Sequence, residues 1–186
     1  RQYPRAAEYW RKCIELDSRP HFKDRLEQIV ANWGRFESIV TQPAGKGATL
    51  EFRFRNAKGV RFTAREINVE KLLADMQAYL KSNPNQLDWN RLQIENLGYR
   101  LVHQNQSQYL GAEAAAWKLD LEPREKHFDK LMTIATPLQK AGAYLLTARV
   151  DGGNTSHIIV WLANTAIAKK PLDGKTFYYV ADAVTG

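Results

Sequence analysis

Lys140-Ala141-Gly142-Ala143-Tyr144-Leu145-Leu146-Thr147-Ala148-Arg149-Val150, then Ile158-Ile159-Val160-Trp161-Leu162, then Phe177-Tyr178-Tyr179-Val180-Ala181-Asp182-Ala183-Val184-Thr185-Gly186 are the runs on which the fold class turns. Each is short, rich in β-branched and aromatic residues, and bounded by turn formers, which is how strands read. Asp151-Gly152-Gly153-Asn154 is a strong turn signal between the first two. The pattern predicts strands at 114–121, 131–135, 141–150, 157–163 and 175–183. Short strands at fairly regular spacing point to a sandwich. The last run stops on Asp-Ala-Val-Thr-Gly, an ending expected of a cut inside a longer string of β-domains.

Upstream, the period of two persists. A strand is expected over 36–41, then a turn at Pro43, Gly45 and Gly47. Leu50, Phe52 and Phe54 alternate with Glu51, Arg53 and Arg55; Asn56-Ala57-Lys58-Gly59 reads as a hairpin connection, and Val60, Phe62 and Ala64 continue on a return strand reaching Ile67. Residues 69–81 place Val69, Leu72, Leu73, Met76 and Leu80 on one helical face, with Asn68 as N-cap. Between Asp88 and Gly111 the spacing leaves loop, strand and short helix open; Leu92, Ile94 and Leu97 fit a strand, and Tyr99–His103 reads as one.

Two helices precede the strands. Residues 4–16 carry Ala6, Tyr9, Trp10, Cys13 and Leu16 as an apolar stripe, with Pro4 in the first turn. His21–Trp33 carries Phe22, Leu26, Ile29, Val30 and Trp33, with Gly34 as C-terminal cap. The expected organisation is a helical hairpin at 1–35, a β-sandwich at 36–168 with a helical insertion near 69–81, and a linker with the first strand of a following β-domain at 169–186. Residues 164–174 read as an interdomain connection; alternatively, the strand at 175–183 completes the first sandwich.

Composition excludes several classes. With 44% hydrophobic and 25% charged residues the chain is neither disordered nor a membrane-spanning helical protein, since no apolar run approaches the ~20 residues a bilayer requires. The net charge of +7 is dispersed: Arg53, Arg55, Arg61 and Arg65 alternate with apolar residues and are interrupted by Glu51 and Glu66, which is the wet face of a sheet rather than a nucleic-acid surface. Cys13 is the one cysteine, so no internal disulfide forms. Arg1–Arg5 has no apolar core for a signal peptide; an exported parent would carry its signal upstream.

No constellation for chemistry emerges, so no catalytic, cofactor-binding or metal residue is assigned. His21, His103, His127 and His157 lack the short ligand spacings of zinc sites. His127, flanked by Glu125 and Asp129, reads as an exposed turn. Cys13 lies on an apolar stripe, as a buried inert thiol does. No serine sits in a Gly-x-Ser-x-Gly setting, and Gly45-Lys46-Gly47 is too short for a phosphate cradle. Asp151-Gly152-Gly153-Asn154 lacks the alternating carboxylates of a calcium loop. Phe52, Phe54 and Phe62 share one strand phase and are core, while Tyr178 and Tyr179 point to opposite faces, so that one of the two is exposed.

From Phe36 to Gly186 the chain resembles the bacterial alpha-2-macroglobulin family. The motifs are Thr136-Pro137-Leu138 with 141–148, Gly153-Asn154-Thr155-Ser156 with Val160-Trp161-Leu162, Lys169-Lys170-Pro171, and Tyr179–Gly186; Phe52–Asn56 and Trp89–Val102 are also similar. Residues 1–35 are similar to the tail of a tetratricopeptide-type array. The resemblance implies an immunoglobulin-like, macroglobulin-type antiparallel β-sandwich. It also implies a non-catalytic scaffold near the N-terminal side of a protease trap, with proteases and neighbouring macroglobulin domains as partners and a periplasmic or extracellular location. The family's Cys-Gly-Glu-Gln thioester has no counterpart, because Cys13 is followed by Ile14-Glu15-Leu16, and no bait segment is recognisable. Nucleic acid and membrane insertion are not expected. A surface adhesion or carbohydrate-binding module and a peptide-binding scaffold are the other readings, because sandwiches host many functions.

Overall fold

The alternating runs fold into two sheets packed face to face, with a helical layer outside one of them. A computed structural model of the protein describes residues 2–38 and 41–186. In chain order the elements are α1 (Tyr3–Leu16), α2 (Pro20–Val30), β1 (Trp33–Phe36), β2 (Gln42–Pro43), β3 (Thr49–Arg55), β4 (Gly59–Ile67), α3 (Val69–Lys81), α4 (Trp89–Leu92), α5 (Leu97–Val102), β5 (Leu110–Asp120), β6 (Lys130–Ala135), β7 (Gly142–Val150), β8 (Thr155–Ala163), β9 (Thr165–Leu172) and β10 (Lys175–Asp182). One sheet is β1-β3-β6, the second β2-β8-β7-β4-β5, and β9 and β10 form a separate ribbon. The expected macroglobulin-type antiparallel sandwich is present, with one short parallel pairing of β2 to β8.

β3 and β4 are strands as expected, but they do not form a hairpin. β3 pairs with β1 and β6, whereas β4 pairs with β5 and β7. Asn56–Lys58 is therefore an arch between sheets. Asn56 adopts a φ of 60°, a conformation Asn tolerates, and its side chain donates to Ile29 O at 2.9 Å and Ala31 O at 3.0 Å. The arch lets apolar phases on both strands face inward across the sandwich. Phe52 meets Phe62 edge-on at 5.5 Å and Phe36 at 5.4 Å, and Phe62 stacks on Trp117 at 5.1 Å. Leu50, Phe54, Val60, Leu146, Ala148 and Val160 belong to the same core, with Ile134 and Leu162 among its other members.

Trp33 and Gly34 belong to β1 and not to a helix end. α2 stops at Val30, Ala31 turns extended, and Gly34 takes a ladder position opposite Phe54. A side chain at Gly34 has no room: a Cβ there would lie 2.5 Å from Phe52 Cζ and 3.0 Å from Val150 Cγ2. Phe52 cannot yield, because Phe36 and Phe62 hold it. Gly34→Ala is accordingly expected to cost about 1–3 kcal/mol by overpacking, read as a lower urea midpoint; an unchanged midpoint would show the ring free to move. The strand expected over 36–41 ends at Phe36, and Ile39 and Val40 lie outside the described residues.

The segment open between 88 and 111 consists of short helices up to Tyr109, and Leu110 and Gly111 begin β5. Asp88 caps α4 by accepting from Asn90 N at 3.0 Å, a 3-10 turn covers Ile94–Asn96, and α5 replaces the strand expected at 99–103. The reason is packing: Leu97 and Leu101, four apart, are buried with Leu72, Ile67 and Leu145 against the outer face of the second sheet. α3 joins this layer, and Asn68 caps it by accepting from Lys71 N at 2.9 Å.

The helical pair and the arginines depart from the wet-face expectation. In α1 only Ala7 is buried; Tyr9 and Leu16 are exposed and Cys13 is half-buried. The two helices meet through Trp10 and Phe22 at 5.9 Å, so their stripes serve each other more than the sandwich. Arg53 pairs with Glu37 at 2.5 Å. Arg55 is nearly covered: it donates to Gln28 O at 2.6 Å and lies over the rings of Tyr3 and Trp33. The outer phase of β3 is thus a joint with the helices, while Arg61 and Arg65 on β4 remain exposed.

Candidate functional site

His21 and His127 lie apart, while His103 and His157 share one groove. His21 lies against Phe22, His103 against Tyr99, His127 Nδ1 is 2.9 Å from Asn56 Oδ1, and His157 Nδ1 is 3.0 Å from Thr147 Oγ1. Among the described residues no group of three His, Cys, Asp or Glu is arranged to hold a metal ion. His127 is half-buried against the arch, not on the exposed turn expected for it, because Asn56 fixes its ring. His103 and His157 face an open groove of about 950 Å³ between α5 and β8, whose walls include Ile94, Tyr99, Ile159 and Trp161. Burial pushes the His157 imidazole below its ordinary value, with His103 and Arg149 adding to the shift. Thr147 and His157 touch, but no carboxylate among the described residues orients the other ring nitrogen, which nucleophilic activation requires.

The feature that stands apart is the β9–β10 ribbon. What reads in sequence as a connection at 164–174 is a strand, because Thr165–Leu172 finds a full partner in Lys175–Asp182 through a tight turn at Asp173-Gly174, with Gly174 at φ 67°. β10 pairs with β9 alone among the described strands, so it does not complete the sandwich. Val180 and Ile167 oppose each other on one face with Tyr178, and Phe177 and Tyr179 occupy the other. All five are more than half exposed, so both tyrosines, not one, face solvent. A two-stranded ribbon with apolar residues on both faces is marginal by itself and presents surface of the kind that partners cover.

The terminal Asp-Ala-Val-Thr-Gly motif closes this ribbon. Asp182 Oδ1 accepts from Thr185 N at 2.8 Å, Val184 N at 2.9 Å and Thr185 Oγ1 at 3.1 Å, and Ala183 N donates to Asn164 O at 2.8 Å. Those donors, led by Thr185 N, hold the Asp182 carboxyl below the usual carboxylate range. The motif is a local turn whose aspartate returns the chain across the base of the ribbon.

No protein-family model matches the sequence, and no curated protein matches it significantly. Solved structures do match in fold. Native alpha-2-macroglobulin from Escherichia coli spanning domains MG0-NIE-MG1 aligns over 84% of this chain at 14% identity and a TM-score of 0.55. The NIE-MG1 structure of the same protein aligns over 84% at 16% identity and a TM-score of 0.53, covering 72% of that structure. The chain has the macroglobulin-like fold of that region. This macroglobulin-like chain spans about half the length of the MG0-NIE-MG1 structure, 47% of it. No helix among the described residues is long and apolar enough to cross a membrane.

Proposed function

We propose that this chain is a non-catalytic structural module of a bacterial alpha-2-macroglobulin-like protein whose parent traps and inhibits endopeptidases. The observation that carries the proposal is the β9–β10 ribbon. It hangs off a complete sandwich, exposes apolar residues on both faces, and ends in a turn that redirects the chain. We assign α1 and α2 to a helical hairpin that ends before β1, rather than at the residue 35 expected from sequence, β1 to β8 to a sandwich carrying α3, and the ribbon to the opening of a neighbouring β-domain. We draw that boundary at the start of β9, slightly before the residue 169 expected from sequence. The likeness to the MG0-NIE-MG1 region supports a scaffold role beside such a neighbour. Proteases are partners through the parent, which we place in the periplasm or outside the cell. Domains of this kind act by being arranged in series, so a trap needs the parent and not this module alone.

The test uses the full-length parent. It is incubated with a broad-specificity protease while cleavage of a large protein and of a small peptide is followed in parallel. Loss of large-substrate cleavage with small-peptide cleavage retained is the expected result, because an enclosed protease still admits small substrates. Equal cleavage of both, with no complex formed across several proteases, overturns the trap and leaves a fold shared without its function.

A further inference from the structure

The outer face of the second sheet is covered by α3 and α5 only at one end. Toward the other end, alternation directs Arg61, Thr63 and Arg65 of β4, Thr147 and Arg149 of β7, and His157 of β8 outward. The register aligns them into rows. Arg61 sits directly opposite Lys118 of β5 on one side and Arg149 of β7 on the other. Thr63 sits opposite Thr147, which sits opposite His157. Three cations therefore occupy adjacent cross-strand positions, an arrangement that destabilises a sheet by like-charge repulsion.

Counter-charges stand beside the row, with the Asp151 carboxylate over Gly59, next to Arg61 on β4. Lys118 is 3.6 Å from Asp151, Asp120 lies one outward position beyond Lys118 on β5, and Glu113 is opposite Arg65 in register. Arg65 is anchored by donating to Gly111 O at 2.9 Å and 3.2 Å, which holds its guanidinium in place without neutralising it. Arg61 and Arg149 have no carboxylate within ion-pair distance among the described residues. Between Arg65 and Arg149 lies a shallow basin of about 560 Å³ floored by threonines and walled on the helical side by Leu101, Val102 and Leu110.

We propose that this face is a docking surface for an extended acidic polypeptide segment with apolar residues between its carboxylates. The cations supply charge complementarity at two stations: Arg61 with Arg149, and Arg65 four residues along β4, roughly 13 Å away at the rise of a strand. The threonine hydroxyls between them accept and donate to a peptide backbone, and the leucine and valine wall takes the intervening apolar side chains. A phosphodiester backbone has nothing to offer that wall, and the patch lacks the aromatic platforms on which single-stranded bases stack. The basin is too open to bury a small acid, whereas an extended chain uses its whole length. This surface is independent of the terminal ribbon and of protease trapping.

The test measures binding of a fluorescein-labelled peptide alternating glutamate and leucine to the whole chain by anisotropy. The ionic strength is about 0.01 M, where the screening length is about 30 Å. The matching glutamine–leucine peptide, a single-stranded DNA and a sulfated oligosaccharide are run beside it. Saturable binding of the glutamate peptide, at least about fivefold tighter than of the glutamine peptide and weakened by about fivefold or more in Arg61→Gln/Arg149→Gln, is the expected result. That variant keeps or raises the urea midpoint, since it removes repulsion, so weakened binding is not misfolding. No saturation up to about 1 mM, or equal binding by the variant, overturns the proposal. Tighter binding of the DNA or the sulfated oligosaccharide also overturns it, in favour of a polyanion surface without peptide preference.

Discussion

Phe52→Ala is expected to cost about 3–5 kcal/mol of unfolding free energy, the range for truncating a buried phenylalanine. Phe52 is fully buried in the middle of β3, and its ring is met edge-on by Phe36 and Phe62 from two different strands. Removing it opens a void where the two sheets are held apart by aromatic rings, and the backbones of three strands cannot close it without breaking ladder hydrogen bonds. The edge-to-face pairs add about 0.5–1.5 kcal/mol each beyond the area they bury. Urea unfolding followed by tryptophan fluorescence reads the loss. Phe52→Leu, which keeps most of the volume, is expected to lose about 1–1.5 kcal/mol. Phe177→Ala in the exposed ribbon is expected to change stability by no more than about 0.5 kcal/mol. A loss below about 1 kcal/mol for Phe52→Ala would mean that the sheets slide to refill the space.

Most strands and the sandwich were legible because a period of two reports one buried face, as in β3 and β4, whereas the two residues of β2 carry no such period and read as part of a turn. Phe52, Phe54 and Phe62 follow from phase alone, and they are core. Pairing was not legible. Asn56-Ala57-Lys58-Gly59 has hairpin chemistry, yet turn residues fix only the reversal of the chain and not whether the returning strand joins the same sheet. Trp33-Gly34 shows a different limit. A glycine after an apolar period reads as a helix cap, but here the close approach of Phe52 sets its identity, and that ring lies in another strand. At 92–103 the apolar spacing fits two periods over so short a stretch, and the outer face of β7 and β8 decided between them.

Candidate surfaces were the least legible part. The arginines of β3 and β4 share one alternation, so sequence gives them one environment, while topology gives them two. Arg53 and Arg55 meet carboxylates and the helices, and Arg61 and Arg65 meet solvent beside Arg149 and Lys118. Arg61, Lys118 and Arg149 are far apart in the chain, and only the register of β5-β4-β7 brings them together. The ribbon fails to read for the opposite reason. Thr165–Leu172 has little apolar periodicity, holding Lys169, Lys170 and Pro171, and it becomes a strand because β10 pairs with it residue for residue.

Arg55→Ala is expected to loosen the helical pair from the sandwich at a cost of about 1.5–3 kcal/mol, the range for losing a hydrogen bond made by a charged group. The Arg55 and Asp129 side chains are 13% and 21% exposed, and their nearest charged atoms are 3.7 Å apart. Neither Arg55 Nε nor Asp129 Oδ1 has a hydrogen-bond partner within the protein, so that pair is a charge contact without a bond. The firmer ties of Arg55 are the Gln28 carbonyl and the faces of Tyr3 and Trp33, at 5.5 Å and 5.7 Å from its guanidinium carbon. Arg55→Lys keeps the charge but loses the planar stack and the reach of the guanidinium fork, so it is expected to lose nearly as much. A double-mutant cycle with Asp129→Ala is expected to give a coupling near the low end of about 0.5–3 kcal/mol, because the geometry of that pair is poor. Limited proteolysis locates the effect: cleavage around Ala31 and Asn32 accelerates in Arg55→Ala while the β7–β8 core stays resistant. An unfolding free energy within about 0.5 kcal/mol of the parent chain, with no change in cleavage, would show that Asn56 alone, bonded to Ile29 O and Ala31 O, fastens the helices to the arch.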